Sequence, residues 1–564
     1  MKLAEYLFQR LHELGIESIH GVPGDYNLEL LDYVEPAGLL WVGNTNELNA
    51  AYAADGYARI KGIGALITTF GVGELSAVNA IAGAYTERAP VVHIVGIPAR
   101  ESHEKRLLIH HTFNDGEYRR FAEIHSRITV AQARLWDIRT TQQQIDDILL
   151  RCLLHSRPVY IEIPTDLVAL TIIPDDGMKP LEIPKAVYDP SWESVLDQIT
   201  VRIHSAKQPI IIVDGETRPM GIIQGVQKLL EITRWPVWTT PFGKGLLDET
   251  APNFHGIYQG TFAQTEVNEF FNRADLILCF GPHWSSRPDV SIVFTDEAVE
   301  FNNKKHRNIP AAYIVSHLVH SLNLSPAQQY EPYPSLPHDF KLPVPDPSDN
   351  QPLVQDRLWP VLANILRPGD IILGETGTAG YGVRAMPLPK HTRVFTPVTW
   401  LSIGYMLPAS QGAALAQREL IRSHKYFGLS SGRAILIIGD GSFQMTVQEL
   451  STIIRHNLNI MVILINNDGY TIERCIHGRR QKYNDIARWR YLQAPSFFGA
   501  DPDTYVGSVK TFGELGSILT DNRFIDGSGL RMVELFVGRE DAPTGPLLHY
   551  LQIQKEGESA GDNV

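Results

Sequence analysis

Cysteine is scarce in this chain, which has three among 564 residues. Cys152, Cys279 and Cys475 have neither the spacing of a zinc site nor a disulfide pattern. This argues against a disulfide-stapled secreted scaffold and favours a reducing compartment.

Long apolar runs and targeting segments are missing as well. No apolar stretch is long enough to span a bilayer. The chain starts directly with an amphipathic helical pattern, without the regions of a signal peptide or the basic, acid-poor bias of a transit peptide. We therefore expect a cytoplasmic protein with no membrane partner.

An excess of positive charge is also absent. The formal net charge is −13, spread along the chain rather than gathered in a tail. This argues against nucleic acid or an anionic membrane as a partner and favours solubility. With 44% hydrophobic residues over 564 positions, the chain can bury several cores, and about three domains are expected.

Two proline-rich stretches with weak periodicity divide the chain, at about residues 172–190 and 326–352. They predict domains over residues 1–175, 190–330 and 353–545. Each segment alternates short β-branched runs with helical patterns, which predicts an α/β fold with three doubly wound parallel-sheet domains. The tail after Asp541 is polar and glycine-rich, and its last ten residues are expected to be mobile.

Two buried apolar runs end in motifs that suit metal and phosphate binding. The run Ala434–Ile438 ends in Gly-Asp-Gly-Ser at residues 439–442, and the run Ile460–Ile465 ends in Asn-Asn-Asp-Gly at residues 466–469. As parallel strands they end at one edge of a sheet, which then carries hard oxygen ligands for magnesium and free helix amides for phosphate. The alternative interpretation is a simple tight turn after each strand.

The pair of motifs resembles the diphosphate-binding signature of thiamine diphosphate enzymes. The following residues 468–473, Asp-Gly-Tyr-Thr-Ile-Glu, narrow the resemblance to the pyruvate decarboxylase group, especially the fungal ones. It implies pyrimidine-binding, central and diphosphate-binding domains, with thiamine diphosphate and Mg²⁺ as cofactors. The residues implied as metal ligands are Asp440, Asn467 and Gly469, and those implied as cofactor contacts at this edge are Gly441, Ser442 and Ile472.

In the first domain, the alanine-rich segment 46–56 begins a helix with a glutamate, Glu47, beside a small-residue face. By position alone, this glutamate could merely complement the helix dipole. By resemblance, it is the residue that contacts the cofactor's pyrimidine ring and promotes formation of the reactive ylid. Because Glu47 and the metal ligands lie in different domains, the resemblance implies a homodimer with the cofactor at the subunit interface, and a homotetramer is plausible.

Three further positions match the family's proton-handling residues. Asp25 lies in a Gly-x-Pro-Gly-Asp loop, His110 and His111 are paired, and Glu473 follows Tyr-Thr-Ile. Taken alone, Asp25 could stabilise a turn, the histidines could be solvated, and Glu473 could compensate a helix dipole. The resemblance implies catalytic roles for all of them.

Two more cofactor contacts are implied by resemblance. Ile403 matches the bulky apolar residue that bends the cofactor into its V shape, and Thr378 belongs to a Thr-Gly-Thr turn beside the cofactor. An ordinary core position is the alternative for Ile403.

The chain departs from the fungal pattern at several positions. Gly380-Tyr381 replaces an alanine–phenylalanine pair, and Arg287 stands at about the position where the family has a phenylalanine near the pocket. Leu401 replaces a glycine, and Glu216-Thr217 replaces adjacent cysteines. The glycine is expected to enlarge a cavity, and Arg287 either holds a second carboxylate or points to solvent. We therefore do not expect cysteine-mediated activation or pyruvate as the sole or best substrate.

The expected function is non-oxidative decarboxylation of a 2-keto acid, pyruvate or a bulkier analogue, to an aldehyde and carbon dioxide. The alternative is a carboligase that uses the same enamine to make an acyloin. A non-catalytic paralogue is the third hypothesis, and the intact set of site residues argues against it.

Overall fold

Three β-sheets with helices between their strands form the computed structural model, which describes residues 1–173, 179–184, 186–282, 289–322, 336 and 340–561. The α/β fold class predicted from the alternating pattern is confirmed. The three sheets fall within residues 1–175, 190–330 and 353–545, and the exact domain boundaries stay predictions.

The first sheet is parallel throughout, with strand order β2-β1-β3-β4-β6-β5. Its inner strands are buried along their whole length, as expected for a sheet covered on both faces. The strands are β1 (Ser18–Gly21), β2 (Leu40–Trp41), β3 (Gly64–Thr69), β4 (Val91–Ile97), β5 (Gln132–Arg134) and β6 (Val159–Pro164). The helices are α1 (Leu3–Glu13), α2 (Leu28–Leu31), α3 (Glu47–Lys61), α4 (Val72–Ser76), α5 (Val78–Thr86), α6 (Arg100–Glu104), α7 (Arg120–His125) and α8 (Thr141–His155).

The central sheet is mixed rather than wholly parallel, with strand order β13-β12-β11-β10-β7-β8-β9. Its strands are β7 (Pro209–Val213), β8 (Val237–Thr239), β9 (Phe254–Ile257), β10 (Leu276–Phe280), β11 (Ser291–Phe294), β12 (Ala298–Phe301) and β13 (Lys304–Arg307), and its helices are α9 (Ser191–Ser205), α10 (Ile223–Thr233), α11 (Thr265–Arg273) and α12 (Ala311–Ser321).

The antiparallel edge of the central sheet corrects the expectation of a purely parallel one. β12 pairs antiparallel with both β11 and β13. Asn302 and Asn303 connect β12 to β13, both with positive φ, at 51° and 58°. A two-residue asparagine loop of this kind favours a tight hairpin, because asparagine tolerates the left-handed region.

The third sheet is parallel, with strand order β15-β14-β16-β17-β19-β18. Its strands are β14 (Ile371–Gly374), β15 (Arg393–Phe395), β16 (Ala434–Gly439), β17 (Ile460–Asn466), β18 (Val506–Val509) and β19 (Leu530–Phe536). Its helices are α13 (Gln355–Leu362), α14 (Thr378–Gly382), α15 (Met406–Arg422), α16 (Asp440–Thr446), α17 (Leu450–Arg455), α18 (Thr471–Ile476), α19 (Ala494–Phe497), α20 (Phe512–Leu519), α21 (Asn522–Ile525) and α22 (Pro546–Gly561).

Helix α22 occupies much of the tail for which the sequence predicted a mobile end. Leu547 and Leu551 are buried and pack with Cys475 of α18. The two leucines give the helix an apolar face, which outweighs the polar and glycine-rich composition around them.

Helices α3 and α15 hold the first and third domains together through their small residues. A Cβ added at Gly412 would lie 1.9 Å from the carbonyl oxygen of Ala53, and one added at Gly56 would lie 2.1 Å from that of Ala409. The alanine-rich face of α3 therefore accepts a close neighbouring helix, as the sequence predicted.

None of the described helices is both long and apolar enough to cross a lipid bilayer.

Candidate active site

The two motifs that follow β16 and β17 meet at one edge of the third sheet. The strands pair in parallel with Gly439 opposite Ile465, so Asp440 and Asn467 follow strand ends at the same level. Asp440 is buried, its Oδ1 accepts the Gly441 N–H at 2.9 Å, and its Oδ2 accepts the Gly469 N–H at 3.1 Å. The pKa of the Asp440 carboxyl is raised to about 6, and burial is the largest cause of this shift. A nearby cation would oppose this shift.

The side chains of Asp440 and Asn467 and the carbonyl oxygen of Gly469 converge at this edge. As placed, the side-chain oxygen of Asn467 faces the Gly469 carbonyl oxygen at 2.8 Å and Asp440 Oδ1 at 3.0 Å, while its nitrogen faces Thr471 Oγ1 at 2.9 Å. A turned amide would instead donate to both oxygens. Octahedral Mg²⁺ with bonds of about 2.1 Å sets neighbouring ligand oxygens about 3 Å apart. The donor set of Asp440, Asn467 and Gly469, called the metal set below, therefore fits magnesium.

The turn of Thr376–Thr378 lies beside the start of α16. The Ser442 hydroxyl donates to the carbonyl oxygen of Thr376 at 3.3 Å, and Thr378 is buried at the start of α14. At Gly441, an added Cβ would lie 2.5 Å from the ring of Tyr470. Only glycine leaves room at that position, so the backbone next to Asp440 stays open to a ligand.

Ile403 lies half-buried in the turn before α15. The Thr446 hydroxyl donates to the Gly404 carbonyl oxygen at 2.7 Å and fixes one side of this turn. On its other side, Leu401 adopts a positive φ of 54°. A leucine in the left-handed region is strained, and such strain is typical of functional segments. Leu401 itself is 49% exposed.

Glu375 is a site residue that the sequence analysis missed. Its buried carboxylate accepts the N–H of Thr376 at 2.7 Å and the N–H of Met406 at 2.8 Å. It thereby ties the Thr-Gly-Thr turn to the turn that carries Ile403. Burial raises the pKa of Glu375 to about 7. Its position directly after β14, before Thr-Gly-Thr, was the available sequence signal.

Ile472 and Glu473 lie on α18. Ile472 is half-buried and packs against the cluster of Cys475, Leu547 and Leu551, whereas Glu473 is exposed. Helix α22 thus supports the segment that carries both residues.

Glu47 begins α3, and its helix is capped by Asn46, whose side-chain oxygen accepts the Asn49 N–H at 2.8 Å. The Glu47 side chain is half-buried, and burial raises its pKa. Its Oε1 lies 3.0 Å from the position of a Cβ at Gly73, in helix α4 shortly after β3. The carboxyl therefore lies at the carboxyl edge of the first sheet.

Asp25, His110 and His111 come together, and we call them the histidine cluster. His110 Nε2 hydrogen-bonds Asp25 Oδ2, and His111 Nδ1 lies 3.8 Å from Asp25 Oδ1. The ring of Tyr26 stacks on His110 with centroids 5.0 Å apart. His111 has φ of 65°, and an added Cβ at Gly71 would lie 2.1 Å from its carbonyl oxygen. Loop packing thus aims both rings at one carboxylate.

Within one chain, Glu47 and the histidine cluster form no direct contact with the metal set in the described residues. In the described part of the chain, no hydrogen bond or ion pair links Glu47 or the histidine cluster to the metal set. Val42 contacts the opposite edge of the third sheet, because His456 Nε2 lies 2.9 Å from its carbonyl oxygen. Nearer to Glu47, the Asn44 side-chain amide donates to Glu449 at 2.7 Å. His456 precedes β17, whose seven residues span roughly 20 Å to the metal set.

The structure describes most of the positions at which the chain departs from the fungal pattern. Arg287 lies outside the described residues. A Cβ at Gly380 would lie 2.9 Å from the Glu375 carbonyl oxygen, so an added methyl would press on backbone rather than fill open space. Glu216 pairs with Arg88 of the first domain at 2.5 Å, and the buried Thr217 hydroxyl donates to the Phe280 carbonyl oxygen at 2.9 Å. Positions 216 and 217 therefore anchor the central domain.

Comparison with known proteins agrees with this geometry. Three family models match the chain: the N-terminal TPP binding domain of thiamine pyrophosphate enzymes over residues 1–117, their central domain over 196–313, and their C-terminal TPP binding domain over 375–496.

Similar proteins match nearly the whole chain. A pyruvate decarboxylase of Aspergillus parasiticus is 53% identical over 562 residues, covering 96% of each chain. One of Aspergillus fumigatus is 42% identical over 96% of this chain and 95% of its own. Pyruvate decarboxylase isozyme 1 of Saccharomyces cerevisiae is 37% identical over 96% of each. With its metal set and the three family matches, the chain belongs to the thiamine pyrophosphate enzymes and, among them, to the fungal-type pyruvate decarboxylase family.

Proposed function

We propose that the chain converts a 2-keto acid to an aldehyde and carbon dioxide without oxidation, using thiamine diphosphate and Mg²⁺. The observation that carries this proposal is the convergence of the Asp440, Asn467 and Gly469 oxygens at the ends of two parallel strands. Relatives named pyruvate decarboxylase over 96% of the chain support the reaction.

The third domain supplies the groups that would hold the cofactor's charged end. Asp440, Asn467 and Gly469 would ligate Mg²⁺, and the backbone at Gly441 and Ser442 would approach the diphosphate. Thr378, Ile403 and Ile472 would contact the rest of the cofactor. When bound, thiamine diphosphate supplies the nucleophile that adds to the keto carbon and the electron sink for loss of carbon dioxide.

The first domain supplies protonatable groups. Glu47 is half-buried, and burial raises the pKa of its carboxyl, which favours the protonated form that could donate to a ring nitrogen. Asp25, His110 and His111 hold exchangeable protons in one cluster, and Glu473 of the third domain adds an exposed carboxylate. Together they would deliver the proton that converts the decarboxylated product to an aldehyde.

The alternative reaction, carboligation, is not favoured. Its product requires attack on a second carbonyl instead of protonation, and the histidine cluster offers protons at the first domain's edge. The names of the relatives point the same way.

We propose a homodimer as the smallest active unit, with a homotetramer compatible with it. Glu47 and the metal set lie on different sheets, and contacts within the chain turn the segment before Glu47 toward the edge of the third sheet away from Asp440. A second copy would bring its own Glu47 to the metal set.

The location we propose is the cytoplasm, with a small-molecule 2-keto acid as substrate. All three cysteine thiols are buried and unpaired, which suits a reducing compartment.

The test is a substrate panel. Purified protein with thiamine diphosphate and Mg²⁺ is incubated with pyruvate, 2-oxobutanoate, 3-methyl-2-oxobutanoate and phenylpyruvate, and aldehydes are separated from acyloins by chromatography. We expect aldehyde as the main product from at least one acid, and none when Mg²⁺ is removed by a chelator. Acyloin as the main product throughout would favour the carboligase, and no turnover with bound cofactor would reject both.

A further inference from the structure

A cavity of about 570 Å³ lies between the central domain and the diphosphate-binding domain. Aromatic side chains from both domains line it: Trp238 and Phe262 on the central side, Trp359 and Tyr381 on the other, with Phe340 between the domains in sequence. Cavities of roughly 300–1,000 Å³ with mainly apolar walls and a few polar groups are typical small-molecule sites.

One cation lines this aromatic cavity. Arg384 follows α14 closely, and its guanidinium carbon lies 4.4 Å from the centre of the Tyr381 ring. Burial lowers the pKa of its guanidinium. A cation held in this way gains most from an anion brought to it.

The acidic side chain that lines the same cavity is engaged elsewhere. Asp356 Oδ1 accepts the Thr544 N–H at 2.8 Å, and its Oδ2 accepts the Thr544 hydroxyl at 2.7 Å. Among the residues that the structure describes, no carboxylate forms an ion pair with Arg384. The Tyr381 side chain contacts the Arg384 guanidinium, and no described carboxylate neutralises its charge.

Trp359 contributes a rigid aromatic wall to the cavity. Its ring is fixed by Gly382, where an added Cβ would lie 1.7 Å from it. Fixed aromatic faces favour a flat apolar group in a ligand.

We propose that this cavity binds a small aromatic carboxylate, whose carboxylate group pairs with Arg384 and whose ring stacks among the surrounding aromatic side chains. The site differs from the cofactor site: Tyr381 and Arg384 line the cavity, whereas Thr378, at the start of α14, belongs to the turn beside Ser442. A carboxylate matches the planar guanidinium, and an aryl ring matches walls built of tryptophan, tyrosine and phenylalanine.

The test uses 3-phenylpropanoate as the probe and the full chain loaded with thiamine diphosphate and Mg²⁺. Isothermal titration calorimetry should detect saturable binding to the wild type. Arg384→Met should weaken it at least tenfold, and Ala263→Trp, which fills the cavity from its wall, should abolish it. Neutral 3-phenylpropan-1-ol and ring-free propanoate should each bind at least tenfold more weakly.

Two controls locate the bound probe. Arg523→Met removes an exposed arginine that pairs with its neighbour Asp521, and it should bind the probe like the wild type. Saturating pyruvate should leave the probe's affinity unchanged. The proposal is overturned by absent binding to the wild type, by equal affinity of wild type and Arg384→Met, or by displacement with pyruvate. If Arg384→Met fails to fold, Arg384→Lys takes its place, because lysine cannot pair with both oxygens of a carboxylate. Wild-type affinity in both Arg384→Lys and Ala263→Trp would then overturn the proposal.

Discussion

Asp440 Oδ1 and the side-chain amide of Asn467 face each other 3.0 Å apart across the ends of two adjacent parallel strands. The Asn467 side-chain oxygen lies on the side of Asp440, and it also faces the Gly469 carbonyl oxygen at 2.8 Å. A turned Asn467 amide would donate to both of these oxygens, and a cation would hold all three oxygens as ligands. The spacing of Asp440 and Asn467 therefore suits the divalent metal proposed for this edge of the sheet.

Replacing Asp440 with alanine should weaken Mg²⁺-dependent binding of thiamine diphosphate by about 10- to 100-fold. The carboxylate would supply a charged ligand, and charged contacts of this kind are worth about 1.5–3 kcal/mol. Titration calorimetry with and without Mg²⁺ measures the effect. Asp521→Ala, which removes a half-buried carboxylate of the same domain, should bind like the wild type. Unchanged affinity in Asp440→Ala would reject the metal site.

Glu47→Gln should lower kcat by about 10²- to 10⁴-fold, the usual contribution of a positioned proton donor. The amide keeps the size of the side chain but cannot transfer a proton. Steady-state assays measure kcat, while circular dichroism checks the fold. Glu35→Gln changes an exposed glutamate of the same domain and should leave kcat unaltered. Full activity of Glu47→Gln would contradict the activation route.

Gly412→Ala should destabilise the protein by about 1–3 kcal/mol, the usual cost of overpacking. Its new methyl would lie 1.9 Å from the Ala53 carbonyl oxygen and push α15 away from α3. Urea denaturation gives the change in free energy of unfolding. Gly557→Ala in α22 is the matched control, because an added Cβ there meets nothing within 4 Å. Alanine at position 557 should stabilise by up to about 1 kcal/mol, since it is the better helix former.

Stability should fall as the pH rises from about 5 to about 8, partly because of Glu74. The pKa of this carboxyl is raised to about 8, and burial is the largest cause of the shift. The Gly71 N–H and the Tyr160 hydroxyl, which donate to it at 2.8 and 2.7 Å, oppose the shift. The folded state then binds a proton that the unfolded state has already released, so the folded state loses stability with increasing pH. Below the unfolded pKa both states are protonated, and this dependence disappears.

Glu74→Gln removes that titration and should flatten the pH profile of the thermal midpoint. The test records unfolding of holoenzyme from about pH 5 to about pH 8.5. Glu29→Gln, an exposed glutamate of the same domain, should keep the wild-type profile. A parallel decline in Glu74→Gln and wild type would show that other groups cause the dependence.

The sequence alone determined the elements whose signals are local. The apolar runs of β16 and β17, and the polar turns after them, follow from residue pattern over a few positions, and they already predicted the metal set. The small-residue face of α3 was equally readable from its alanines. Two local signals were present but overlooked: the asparagine pair that turns β12 back as β13, and the leucines that give α22 its buried face.

Only the tertiary structure decided which edges and faces meet. Asp55 and Tyr405, 350 residues apart, hydrogen-bond where α3 packs against α15, and this contact joins the first domain to the third. The tie from Glu375 to Met406 and the cavity beside Arg384 likewise depend on contacts between distant segments. Periodicity and turn chemistry act over a few residues, whereas these relationships arise from the close packing of whole helices and sheets, which no short stretch of sequence contains.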